Sequence, residues 1–222
     1  MPQPLRVRDP LLIVSPDVMI QAPTLAAHIA KICAMWTRIE VRWGEILGLV
    51  ITTDVPAAVA MYSTIITTRG RVDILKAAIG ESDLPDQLRS SIAAALQTYQ
   101  QRAKERNDLV HGYWARCEQV PDALIRLDPK KDLKHSARKQ RPNFRDKEEF
   151  VEDLLESLQP MVYKVHDFEA IEGRISDLDE LQGAIKLQIY EQVHFGARRS
   201  RACALDEFID QMEALSKPPG KA

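Results

Sequence analysis

Residues 24–50 read TLAAHIAKICAMWTRIEVRWGEILGLV, and the spacing of their apolar side chains decides the fold class. The side chains recur at alternating intervals of four and three residues, namely Leu25, Ile29, Ile32, Trp36, Ile39, Trp43, Ile46 and Val50. Because an α-helix has about 3.6 residues per turn, this spacing places them on one stripe. The segment therefore predicts a long amphipathic helix with Thr24 as its N-cap.

Similar signals predict further helices along the chain. Asp54 and Pro56 match the N-cap and first-turn proline of a second helix that ends near Gly80. Pro85 marks the start of a third helix, whose apolar stripe continues to about Trp114. The other predicted helices are a fourth over 146–168 with a kink at Pro160, a run around 181–189 that ends by Gly196, and a short one over 205–215.

These helices predict an all-α fold, an up-and-down helical bundle of four or more helices. Prolines interrupt the helical period at 115–145, so an inserted loop or short β-hairpin is expected between helices three and four. The predicted domains are an extended proline-rich arm over 1–23 with at most one short strand around Leu11–Val14, a helical domain over 24–195, and a C-terminal short helix and tail over 196–222.

The composition excludes several classes of protein. The 222 residues include 30 Lys and Arg against 32 Asp and Glu, so the chain as a whole is not a polybasic nucleic-acid clamp. The 3 cysteines are far apart and form no CxxC pair, which argues against a disulfide framework and a structural zinc site. No apolar run approaches the length of a membrane span or a signal peptide. A cytoplasmic protein with no membrane partner is therefore expected.

The segment 102–114, RAKERNDLVHGYW, holds the polar residues best suited to chemistry. Asn107 and His111 are four residues apart, about 40° around a helix axis, so both side chains can address one point. Arg106 flanks that face and falls where the apolar stripe predicts a core residue. A guanidinium there costs free energy unless it has a partner or lines a cleft, and a local rule broken in this way is typical of functional sites.

This segment resembles the signature of the HEPN superfamily, the higher eukaryotes and prokaryotes nucleotide-binding domains. The family motif is an Arg, usually followed by a polar residue, then four to six positions and a His, and Arg106, Asn107 and His111 match its order and spacing. Tyr113 also fits a longer form, Arg-x4-His-x-Tyr, found in toxin members paired with nucleotidyltransferase antitoxins. The resemblance covers the helical part from Thr24 to the fourth helix.

The resemblance implies a metal-independent endoribonuclease without cofactors, such as a toxin or an antiphage or stress effector. His111 would move a proton, because the pKa of imidazole lies near neutral pH. Arg106 would hold the phosphate and Asn107 would orient the His or the phosphate. Family members commonly place two motifs across a two-fold interface, so a homodimer is expected. An antitoxin or another regulatory protein is a further expected partner.

RNA is the expected substrate, and its candidate contacts lie near the motif and in a basic segment. At 130–147, Lys and Arg outnumber the acids. Such a run usually means a solvated loop, but beside a ribonuclease motif it also suits contacts to the phosphate backbone. The candidate RNA-binding residues are Tyr113, Arg102, Lys104, Lys130, Lys131, Lys134 and Arg138.

Two other interpretations of the same residues stay open. Arg106 could pair with an acid on a neighbouring helix, and His111 could close the helix end near Gly112, where the helix dipole also favours a cation. The chain would then be a non-catalytic helical adaptor that binds RNA or a partner protein, or a purely structural helical subunit. Solvent access to Arg106, Asn107 and His111 distinguishes the nuclease from these alternatives, which require a dry, packed interior.

Overall fold

A computed structural model describes residues 1–7, 10–15, 17–51, 54–129 and 158–195. Their elements, in chain order, are β1 (Gln3–Pro4), β2 (Leu12–Val14), α1 (Val18–Gln21), α2 (Pro23–Val50), α3 (Val55–Ser63), α4 (Thr68–Gly80), α5 (Asp86–Val110), β3 (Tyr113–Cys117), β4 (Leu124–Leu127), β5 (Met161–Tyr163) and α6 (Val165–Phe195). The predicted basic segment at 130–147, the start of the fourth helix at 146–157 and the C-terminal helix at 205–215 lie outside the described residues.

The chain is mostly helical, but the prediction of an all-α fold is wrong because the structure contains a five-stranded antiparallel sheet. The strand order is β1-β5-β4-β3-β2. β3 and β4 form the hairpin expected after the third helix, with Ala115 opposite Ile125. The strand predicted around Leu11–Val14 is confirmed as β2, but the proline-rich arm also supplies β1 and α1, so the expectation of at most one short strand there is wrong. The strands that the sequence did not predict, β1 and β5, have two and three residues, too few to show an alternating pattern.

The described residues fall into two compact units. Unit 1 consists of those in Met1–Cys33 and Glu105–Glu172 and contains the sheet. Unit 2 consists of those in Ala34–Lys104 and from Gly173 onward, and is helical. Helices α2, α5 and α6 contribute residues to both units, so the division falls within helices and elsewhere than the predicted boundaries at 23 and 195.

The central strands of the sheet in unit 1 pack side chains on both faces, whereas the edge strands β1 and β2 are largely exposed. One face carries a cluster of apolar side chains, formed by Ala115, Cys117, Ile125, Leu127 and Leu158. Since side chains alternate along a strand, Trp114 points to the other face. Its ring packs edge-on against Tyr163 of β5 at 5.4 Å and against Phe168 in the first turn of α6 at 6.1 Å. Aromatic contacts thus join the sheet to α6 within unit 1.

From Trp36 onward, the apolar stripe of α2 lies in the core of the helical unit, as the sequence predicts. Trp36 stacks on Tyr99 of α5 with their ring centroids 5.2 Å apart. Gly48 lets α3 approach closely, because a Cβ there would lie 2.9 Å from the Cα of Val55. Arg42 pairs with Asp179, and Glu45, which comes later on α2, pairs with Lys186, which comes later on α6. The two helices therefore run in the same direction. A helical core is confirmed.

The predicted second helix is divided into α3 and α4. The break falls in a run of β-branched residues from Thr64 to Thr68, which favour a helix less than straight side chains do. Thr67 adopts an extended conformation, and its hydroxyl accepts a hydrogen bond from the N–H of Gly70 at 3.1 Å. This N-cap starts α4.

The third and fourth predicted helices differ from the structure near their predicted ends. α5 stops at Val110, so Tyr113 and Trp114 belong to β3 rather than to the helix. The fourth predicted helix does not continue through Pro160, because Gln159 has a φ of 42° and precedes a proline. Met161–Tyr163 form β5, and α6 begins only at Val165.

Candidate active site

Asn107 and His111, two of the predicted catalytic residues, lie one helical turn apart at the C-terminal end of α5, in unit 1. The N–H of His111 donates to the carbonyl oxygen of Asn107 at 2.9 Å, so the helical spacing of this pair extends through His111. Their side chains therefore leave the backbone on the same side, about 40° apart. His111 is exposed and Asn107 is half-buried. Both positions are accessible to solvent.

Arg106 is half-buried and contacts Asn107 directly. Its Nη1 donates to Oδ1 of Asn107 at 2.9 Å. Its Nε is enclosed and has no hydrogen-bond partner among the described residues. No contact in the described residues joins either side chain to the imidazole of His111. The enclosed Nε costs free energy and is not accessible to an anion in this conformation, so only the Nη N–H groups that Asn107 does not accept are left for one.

The β3–β4 hairpin closes the end of α5. Nε1 of Trp114 donates to the carbonyl oxygen of Leu109 at 3.1 Å, and Nη1 of Arg126 donates to that of Asp108 at 3.3 Å. Both carbonyls belong to the last turn, where a helix has no partners of its own. Gly112 is required at this corner because a Cβ there would lie 2.6 Å from Cγ of Arg126.

The predicted RNA-binding residues have different environments. Tyr113 is exposed as the first residue of β3, two positions after His111, and Lys104 is exposed on α5. Arg102 is only 8% exposed, because it lies on the buried side of α5 one turn after Tyr99. Little of its side chain is therefore available to RNA in this conformation, and its role as an RNA contact stays a prediction. Lys130, Lys131, Lys134 and Arg138 lie outside the described residues.

A second polar group in unit 1 surrounds Glu172 of α6. Its Oε1 contacts Nδ1 of His28 and its Oε2 accepts from Nζ of Lys31, each at 2.6 Å. The His28 ring stacks on Phe168, with 6.0 Å between ring centroids. Burial alone would raise the pKa of Glu172, but the hydrogen bonds from Lys31 and His28 outweigh it and hold the pKa below its usual range. The carboxylate therefore stays charged at neutral pH.

Sequence reasoning placed a possible helix end near Gly112 but missed Arg126, which fixes the end of α5. Gly112 directly follows His111, and a glycine in that position is a recognised helix-stop signal. Arg126 is the one charged residue in the run Leu124–Leu127, which indicates either a sheet surface or a specific partner. Neither signal identifies which helix the hairpin contacts, because that depends on the sheet.

Comparisons with known proteins gave no match. No family model, no curated protein and no solved structure matches the chain. None of the helices in the described ranges has the length and hydropathy that crossing a membrane requires. Within the same ranges, no three His, Cys, Asp or Glu side chains are grouped so that they could hold a metal ion.

Proposed function

We propose that the chain is a HEPN-like, metal-independent endoribonuclease of the cytoplasm, with Arg106, Asn107 and His111 as its catalytic residues. The observation that carries the proposal is the exposed His111 one helical turn after Asn107, whose amide oxygen accepts from Arg106. Exposure matters because an acid or base must reach the proton that it moves. The family resemblance is part of the proposal, as is the up-and-down order of helices that the apolar spacing predicts.

The proposed reaction needs only groups that this segment offers. The ribose 2′-oxygen attacks the adjacent phosphorus while a neutral imidazole takes its proton, the P–O5′ bond breaks, and an imidazolium protonates the leaving 5′-oxygen. Arg106 binds the phosphate through guanidinium N–H groups that Asn107 does not use. Asn107 keeps the guanidinium in place. The products are a 2′,3′-cyclic phosphate and a 5′-hydroxyl.

A homodimer belongs to the same proposal. In-line cleavage is served by a base and an acid on opposite sides of the phosphate, and each chain has one histidine in the motif. A two-fold axis between the ends of two α5 helices would supply both. The exposed Tyr113 and Lys104 suit contacts to a base and to a backbone phosphate. A toxin or an antiphage or stress effector of this kind would also be controlled by an antitoxin or another regulatory protein.

The test is cleavage of single-stranded RNA by the chelator-treated full chain, with analysis of the product ends. We expect cleavage to persist with the chelator and to leave 2′,3′-cyclic phosphate ends. The control is the same RNA with 2′-O-methyl groups, which should resist because the attacking hydroxyl is absent. A requirement for a divalent ion, or cleavage of the methylated RNA, would contradict the proposed mechanism.

The partial burial of Arg106 favours a second candidate function, a non-catalytic helical adaptor for RNA or a partner protein. The Arg106–Asn107 hydrogen bond would then stabilise the last turn of α5 rather than prepare a phosphate site. The same cleavage experiment separates the two functions, because an adaptor binds RNA and leaves it intact. For an RNA adaptor, Arg106→Ala should still lower the affinity, most strongly at low salt.

A further inference from the structure

The end of α5 is held by side chains that come from the next elements of the chain. In an isolated helix, the last carbonyl groups have no hydrogen-bond partners. Here Trp114 of β3 donates to the carbonyl oxygen of Leu109, and Arg126 of β4 donates to that of Asp108. The guanidinium also lies 3.6 Å from Oδ1 of Asp108. A cation at this end opposes the negative pole of the helix dipole as well.

The backbone of the corner fits the aliphatic part of Arg126. A Cβ at Gly112 would be 2.6 Å from Cγ and 2.9 Å from Cδ of Arg126, and 2.8 Å from the carbonyl oxygen of Asp108. A side chain at Gly112 would therefore displace either Arg126 or the helix end. Gly112 is adjacent to His111 in the chain, so the position of Arg126 affects the backbone next to the imidazole.

Arg126 is a charged residue in a largely buried environment, where its charge has to be offset by specific contacts. Its side chain is only 16% exposed, and it stands between the buried residues Ile125 and Leu127. Its Nε is enclosed and has no hydrogen-bond partner in the described part of the chain. Tyr163 of β5 lies beside it: burial raises the pKa of the Tyr163 phenol, and the charge of Arg126 acts in the opposite direction. Desolvation of a guanidinium is costly, and its contacts with α5 and its hydrogen bond with Tyr163 offset that cost.

We propose that Arg126 is a positioning residue for His111: by holding the carbonyl group and carboxylate of Asp108 and packing on Gly112, it fixes the last turn of α5 and thereby the direction of the imidazole. This inference rests on the proposed function for its catalytic consequence, but its structural part is independent of that function. The β3–β4 hairpin is then part of the active site, rather than an insertion with no role in it.

The experiment compares Arg126→Ala and Arg126→Lys with a matched control, Arg116→Ala, in the full chain. Arg116 lies on the neighbouring strand β3, and its Nη1 donates to the side chain of Gln21 at 3.1 Å rather than to α5. The measurements are hydrogen exchange of the His111 amide, NMR titration of the His111 imidazole, and the pH profile, kcat and KM of RNA cleavage.

Loss of the Arg126 contacts should make the last turn of α5 more mobile without abolishing RNA binding. In Arg126→Ala we expect the His111 amide to exchange at least about 10-fold faster, the imidazole titration and pH profile to shift, and kcat to fall at least about 10-fold at nearly constant KM. Arg126→Lys should restore part of each loss, because it keeps the charge with a single donor group. Arg116→Ala should leave all of them near the wild-type values.

Unchanged exchange and titration of His111 in Arg126→Ala would overturn the inference, as would equal changes in Arg116→Ala. Should Arg126→Ala fail to fold, Arg126→Lys decides in its place, and wild-type exchange in that variant would overturn the inference. Absence of RNA cleavage by the wild-type chain would defeat the proposed function alone, because the exchange and titration measurements still report whether Arg126 positions His111.

Discussion

Glu40 in unit 2 and Asn107 in unit 1 are both helical residues whose side-chain oxygen accepts from an arginine, yet their surroundings differ. Glu40 accepts hydrogen bonds from Trp36 and Tyr99 at 2.8 Å each, and it pairs with Arg71. Three helices, α2, α4 and α5, thus meet at one carboxylate. Asn107 accepts from its sequence neighbour Arg106, next to an exposed His111.

The two sites differ in how many of their hydrogen-bond donors already have a partner within the protein. Around Glu40, burial and the carboxylate charge raise the pKa of Tyr99, which keeps the phenol protonated as a donor. Arg71 also donates to the carbonyl oxygen of Ile65 at 2.7 Å and lies over the ring of Tyr62. Such a closed network stabilises one packing arrangement and leaves little for a ligand. The end of α5 differs, since the His111 imidazole is exposed and the half-buried Arg106 has Nη N–H groups that Asn107 does not accept.

The largest expected effect on stability is at Glu40. Glu40→Ala leaves the indole of Trp36, the phenol of Tyr99 and the guanidinium of Arg71 without their shared acceptor. We expect the free energy of unfolding to fall by about 3 kcal/mol, because several buried donors lose their partner together. Urea denaturation of the full chain measures this value.

The matched control is Glu45→Ala on the same helix. Among the described residues, Glu45 pairs with Lys186 alone, and both side chains are partly exposed, so the loss should stay below about 1 kcal/mol. Equal losses in the two variants would show that the Glu40 network is no more than a surface ion pair. A change in the rate of RNA cleavage per folded Glu40→Ala molecule would contradict the separation between the stabilising cluster around Glu40 and the proposed catalytic residues at the end of α5.

A smaller effect is expected at Glu172, whose contacts are fewer. Its pKa is lowered in the folded chain, so its stabilisation is present above the pKa of the unfolded chain and is lost as the pH falls through the folded value. Glu172→Gln should lose about 1 kcal/mol at pH 7 relative to wild type, a size typical of charge-assisted hydrogen bonds. The difference should shrink as the pH falls below the ordinary value of 4.5.

Urea denaturation at several pH values checks this prediction, with Glu169→Gln as the control. Glu169 is exposed on the same helix α6. Its substitution should change stability by less than about 0.5 kcal/mol at every pH. A wild-type advantage over Glu172→Gln that persists at low pH would mean that packing, and not the charge of Glu172, stabilises this part of unit 1.

The sequence predicted the helical part of the fold better than the sheet. The stripe of α2 repeats over seven intervals, so its period is unmistakable, and α2 begins at Pro23, one residue before the predicted cap. The strands are short, and their pairing joins the arm to residues more than a hundred positions later, as in the pair of Ile13 with Arg116. Periodicity is a local signal, so it carries no information on such pairings.

The motif residues could be found from sequence because their combination is rare. With 18 Arg and 5 His in 222 residues, an Arg-x4-His pair is expected by chance about 0.4 times, from 18 × 5 / 222. Requiring Asn directly after Arg, with 2 Asn in the chain, lowers this to about 0.004. Arg126 could not be found in this way, because its relation to Asp108 exists only once the hairpin folds back on α5.

The central claim is that His111 is the acid–base group of an open site, and the most direct measurement compares RNA cleavage by His111→Ala and His166→Ala. His166 is a suitable control because it is also exposed in unit 1, with a relative accessibility of 69%. The account predicts that His111→Ala cleaves about 100-fold more slowly than wild type while its stability is unchanged, and that His166→Ala cleaves at the wild-type rate. Equal cleavage by the two variants would contradict it.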